Sequence, residues 1–209
     1  MNEMIFEEYL KQTFGLNEPI YLEGIQFEDY SRSWIFKKIK SLVDSESLKR
    51  FDKGIYYFPE KMPWGYTSLD PGKVVQKKYL SDGENVYGYV TGLSFKNSIG
   101  LTSQCPNLLE LASNNESARV REVRVGFQRI LARRPRVAVT KENANILQFL
   151  DLMNIINPKF MDETDQYMLN KYVKDSGVTQ YQIYKYAGLF PANAMRNFLE
   201  SGAAYELAY

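Results

Sequence analysis

Residues 31–59, SRSWIFKKIKSLVDSESLKRFDKGIYYFP, decide how the N-terminal third of the chain folds. Trp34, Ile35, Ile39, Leu42 and Val43 recur at three- and four-residue spacing, which predicts an amphipathic helix starting near Ser31 and ending around Asp44-Ser45. Serine before the first apolar residue supplies a side-chain oxygen for the unpaired amides of the first turn. The opposite face carries Arg32, Lys37, Lys38 and Lys40. Leu48 and Phe51 then mark a short strand, and Asp52-Lys53-Gly54 is a turn in which glycine supplies the positive φ of a tight hairpin. Ile55, Tyr56, Tyr57 and Phe58 form a β-prone run closed by Pro59.

Working outward, Ile5, Phe6, Tyr9, Leu10 and Phe14 give a helix over 3–14 that stops at Gly15. Pro19 bars its continuation, and Ile20-Tyr21 reads as a short extended piece. The order helix, short strand, helix, helix, hairpin predicts a winged helix-turn-helix over residues 1–62. Beyond it, Pro63, Gly65 and Pro71 suggest a linker across 60–72, followed by a helix over 73–80. A short helix is expected from Leu93 to Ile99, and strands at 108–112, at REVRV (121–125) and within RILARRPRVAVT (129–140). Thr140 to Asn143 reads as a capped start, with Asn143 in place of the usual Glu of a capping box, to a helix that ends at Pro158, and two or three helices follow, at 164–174, 179–187 and 192–200. The fold class expected is therefore α+β, with residues 63–209 a mixed α/β domain ending in a helical tail.

Composition narrows the chemistry. The 209 residues contain no histidine, which excludes a Ser–His–Asp triad and a histidine-ligated zinc site. The single cysteine, Cys105, cannot form an internal disulfide and suits a reducing compartment. Asp162, Glu163 and Asp165 are expected to cap a helix rather than bind a metal. GYVTGLS lacks the lysine and spacing of a phosphate-binding loop. The chain is expected to be a non-enzyme with no cofactor and no metal. No apolar run approaches the ~20 residues of a membrane span, and the acidic start, with Glu7 and Glu8, is unlike a signal peptide. A cytoplasmic protein without a membrane partner is expected.

With a formal net charge of only +1, an anionic partner has to be held by local patches. Two stand out. Within 31–53, Arg32, Lys37, Lys38, Lys40, Lys49, Arg50 and Lys53 outnumber three acids. A helix of this kind fits the major groove of double-stranded DNA, where Arg32 and Ser33 at its N-terminus would read base edges while hairpin cations grip the backbone. A solvated lysine face, or a winged helix used for protein contacts, would carry the same residues. In the second patch Arg119, Arg121, Arg124, Arg129, Arg133, Arg134 and Arg136, with Lys141, face Glu122 alone in the sequence window. Three readings stay open for it: a nucleic-acid surface, a docking face for an acidic protein partner, or a solvated hairpin edge that resists aggregation. Tyr56, Tyr57, Tyr87 and Tyr89 could stack bases of a single strand but equally suit half-buried strand positions.

Three runs, LKRFDKGIYYFP (48–59), VYGYVTGLSFKNSIGLTSQCPNLLELASNN (86–115) and TKENANILQFLDLMN (140–154), resemble the AbiEi-like antitoxin and transcriptional-regulator group, and more closely a bacterial subfamily within it. The resemblance implies an N-terminal winged helix that binds an operator, often near its own promoter, with Arg32, Ser33, Lys37 and Lys38 on the recognition helix and Lys49, Arg50 and Lys53 on the wing. It implies a C-terminal antitoxin domain whose basic surface maps onto 119–136. The implied partner is a nucleotidyltransferase-like toxin, countered without a stable complex in the type IV manner. It leaves the operator sequence and the oligomeric state open. The competing reading is a protein-interaction module whose basic C-terminal face binds an acidic partner without DNA.

Overall fold

The computed structural model describes residues 2–207; Met1 and residues 208–209, at the ends of the two expected domains, lie outside it. The architecture is α+β, and the chain divides into two compact units, Met1–Val75 with Val125–Phe127, and Gln76–Arg124 with Gln128–Tyr209.

In the first unit helix α1 (Asn2–Phe14) ends at Gly15, whose φ of 82° is the left-handed conformation that breaks the helix. Strand β1 (Ile20–Tyr21), a 3-10 turn (Leu22–Gly24), helix α2 (Arg32–Asp44) and strands β2 (Lys49–Asp52) and β3 (Ile55–Tyr57) follow. The strands form one antiparallel sheet in the order β1-β3-β2. Ser31 caps α2, accepting from the Trp34 amide at 3.3 Å. Ile35, Ile39 and Leu42 on the inner stripe of α2 join Phe6, Leu10, Ile20, Leu48 and Phe58 in one buried cluster. Trp34 and Tyr30 stack with ring centroids 4.0 Å apart, and Phe27 completes the aromatic layer.

The expected boundary at residue 62 falls inside this unit, and the expected linker is folded. Lys61–Met62 (β4) and Gly65–Tyr66 (β5) pair as a small hairpin, so Pro63 and Gly65 make a turn rather than a flexible tether. Helix α3 (Pro71–Val75) stays with the unit because Tyr21 donates its hydroxyl hydrogen to the Val74 carbonyl at 2.9 Å and Lys73 bridges to Glu18 at 2.5 Å.

The second unit opens with one π-helical turn (Gln76–Leu80). Strands β6 (Gly88–Val90), β7 (Leu109–Ser113), β8 (Arg121–Val125) and β9 (Gln128–Arg133) form a sheet in the order β6-β7-β9-β8. The pair β6–β7 is antiparallel and β7–β9 parallel. Helix α4 (Gly92–Ser98) follows β6, and α5 (Ala144–Ile155) is apolar around most of its circumference, hence buried. Helices α6 (Glu163–Ser176), α7 (Gln180–Tyr186) and α8 (Ala192–Glu200) close over it, contributing Leu169, Val173, Ile183, Ala194 and Phe198 to its core. Asp162 caps α6 by accepting from the Asp165 amide at 2.8 Å, the capping role expected of that acidic run. Asn143 makes the backward bond expected of it in the Thr140–Asn143 capping turn, although the regular helix starts only at Ala144. Its side chain turns back, accepting from the Thr140 amide and donating to the Ala138 carbonyl.

Candidate nucleic-acid interface

The outer face of α2 is exposed. Ser33, Lys37 and Lys40 point to solvent, and neither lysine has an ion-pair partner among the described residues. Two of the predicted contact residues are instead partly committed to the fold. Arg32 donates from Nη1 to the Leu22 carbonyl at 3.3 Å, fastening the helix start to the 3-10 turn, although four further donors stay on its guanidinium. Lys38 is half-buried with its ammonium 5.7 Å from the Trp34 ring, a cation–π contact that keeps it against the helix.

The β2–β3 hairpin carries the other predicted cations. Lys53 is exposed at the turn, where Gly54 takes a φ of 73°. Arg50 is exposed but folds its Nε onto the Asp52 carbonyl at 3.2 Å. Lys49 lies 5.1 Å above the Tyr66 ring, tying β2 to the β4–β5 hairpin. Between α2 and the hairpin runs an open groove of about 460 Å³ bordered by Phe36, Lys37, Lys40 and Arg50. Phe36 is 53% exposed, an apolar residue in a basic setting. Sequence spacing could have located it: it sits four residues before Lys40, on the same side of the helix as that lysine. Trp64 and Tyr66 are exposed on the β4–β5 hairpin, which stands where a linker is expected.

The arginines of 119–136 do not act as one patch. Arg121 pairs with Glu116 at 2.7 Å and Arg129 with Glu122 at 2.7 Å. Arg133 pairs with Asp151, which is buried on α5 and also accepts the Tyr89 hydroxyl hydrogen at 2.7 Å. Burial and the neighbouring Asp151 charge push the Tyr89 hydroxyl well above the ordinary tyrosine range, so it remains a donor. A sequence window from 119 to 141 could not reveal Glu116 or Asp151, because both lie outside it. Arg119, Arg124, Arg134 and Arg136 keep exposed guanidiniums without an ion pair among the described residues, and Arg136 lies 4.8 Å from the Phe190 ring. A cleft of about 1120 Å³ has Arg119, Arg133, Arg134 and Arg136 in its walls.

Among the described residues no group of three or more His, Cys, Asp or Glu side chains is placed to hold a metal, and no helix is long and apolar enough to cross a membrane. No protein-family model matches the chain, and no curated protein matches it.

Proposed function

We propose that the protein is a DNA-binding transcriptional regulator whose first unit is a winged helix-turn-helix. In this reading α2 enters the major groove and the β2–β3 hairpin lies along the adjacent backbone. The observation that carries it is the exposed pair Lys37 and Lys40, without an ion-pair partner among the described residues, on a helix standing against a sheet of order β1-β3-β2, with Lys53 at the hairpin turn beyond it. Ser33 and the free edge of Arg32 are the base-reading candidates, while Lys49, Arg50 and Lys53 position the protein on phosphates. From the AbiEi-like resemblance we further propose an autoregulating type IV antitoxin in the cytoplasm. Its operator would be double-stranded DNA, and its cognate toxin nucleotidyltransferase-like and countered without a stable complex.

The test is fluorescence anisotropy of the full chain on duplex DNA from upstream of its own gene, across a salt series. Each phosphate contact contributes about −0.9 to the slope of log K against log salt, so K37E/K40E should flatten the slope by about 2 and weaken binding at least ~tenfold at low salt. An unchanged slope in that variant, or no duplex binding by the parent protein, removes the proposal. Capture of an acidic protein that needs the 119–136 arginines and is unchanged in K37E/K40E, with no duplex binding, would favour the interaction-module reading instead.

A further inference from the structure

We propose that the arginine cleft of the second unit binds a small phosphorylated ligand of nucleotide size, making it an effector site built from residues the α2 surface does not use. Three observations converge. First, the cations at its mouth come from two chain segments held together: the Arg134 amide donates to the Ala118 carbonyl at 3.0 Å, which sets Arg134 beside the loop bearing Arg119. Arg136, two residues on, is steadied against the Phe190 ring.

Second, the carboxylates lining the cleft are already engaged, and two of the three are neutralised by an arginine partner. Glu110 accepts from the Leu93 amide at 2.7 Å, Glu116 from Arg121 and the Ala118 amide, and Asp151 from Arg133 and Tyr89. Among the described residues Arg119, Arg134 and Arg136 line the cleft without an ion pair, three positive charges against the one negative charge of Glu110, and their planar forks match phosphate oxygens in two-pronged fashion.

Third, the volume of about 1120 Å³ is far more than one phosphate fills and is of the order of small-ligand and cofactor sites. Val137 and Ile155 add apolar wall against which a ring can lie. A double helix is too wide to enter such a concavity, whereas a free nucleotide or the 5′-phosphate end of a single strand has the right size and chemistry.

Isothermal titration of the full-length protein with pyrophosphate, ATP, and a trinucleotide with and without a 5′-phosphate tests this. Saturable binding with Kd at or below about 1 mM is expected for pyrophosphate and ATP, weakened at least ~tenfold in R134Q/R136Q. K37E/K40E should leave it unchanged, which separates this site from the α2 surface whether or not DNA binding survives. Because Arg136 packs on Phe190, R119Q on the exposed loop is the second variant, and its binding should weaken while its circular-dichroism melting curve matches the parent. A trinucleotide whose binding needs its phosphate and exceeds that of ATP assigns the ligand to a strand end. Absence of saturation with every phosphate probe, indifference to both variants, or preference for a glutamate-rich decapeptide overturns the proposal.

Discussion

At the scale of single residues, a buried ionisable group dictates its surroundings. Glu116 is 2% exposed. Burial acts to raise its carboxyl, but the Ala118 amide and the Arg121 guanidinium outweigh that and hold it below the usual carboxylate range of 4.5. A carboxyl depressed on folding contributes stability that is fully present above its unfolded value and is lost as pH falls through the folded one. The parent protein should therefore lose this contribution as pH drops below about 4.5, while E116Q shows a flatter acid limb in urea melts. At neutral pH E116Q should cost about 1.5–3 kcal/mol, the range for hydrogen bonds to a charged group. Asp151, a carboxylate on the buried face of α5, also needs hydrogen-bond partners, and Arg133 and Tyr89 supply them. What this does to the basic patch is subtractive, since an arginine spent on neutralising a buried acid has little left for a ligand.

At the scale of elements, β6 shows how a strand can be constrained by its neighbours rather than by its own backbone. A Cβ at Gly88 would sit 2.0 Å from the Tyr79 carbonyl oxygen and 2.7 Å from that of Ala112, so the strand is wedged between the π-helical turn and β7. Both obstacles are backbone and cannot swing aside. G88A should cost about 3 kcal/mol or more and lower the urea midpoint, whereas G83A, at a turn glycine with open space around it, should cost less, through its φ of 100° alone. Gly92 joins β6 to α4 under a double constraint, a φ of 65° and the Glu110 carboxylate 2.2 Å from a would-be Cβ. That carboxylate is the one that accepts from the Leu93 amide, so the close approach and the hydrogen bond come together.

At the scale of the whole molecule, two hydrophobic clusters with no shared member underlie the two units. The chain's two tryptophans, Trp34 and Trp64, both lie in the first unit, so intrinsic fluorescence reports that unit while far-UV circular dichroism reports both. Leu147 is fully buried in the other cluster. L147A should cost about 2–5 kcal/mol there and lower the dichroism midpoint, with the tryptophan curve left behind it at higher denaturant. Coincident curves that shift together would mean that the chain unfolds as a single cooperative body.

Periodicity and punctuation alone determined most of the elements. The stripe of Ile35, Ile39 and Leu42, the Asp52-Lys53-Gly54 turn, the helical tail and the α+β class all depend on neighbours within a few residues, where side-chain spacing maps directly onto a helix face or a strand face. The 61–66 hairpin escaped because proline and glycine mark a turn without saying whether short strands flank it. Local charge counts placed the cations but not their partners. Only the tertiary structure decided that Lys37 and Lys40 have no ion-pair partner among the described residues, that Asp151 draws Arg133 inward, and that Arg119, Arg134 and Arg136 share a cleft. The physical reason is that ion pairing and concavity depend on through-space distances of a few ångströms between residues far apart in the chain, and the linear order of charges does not encode those distances.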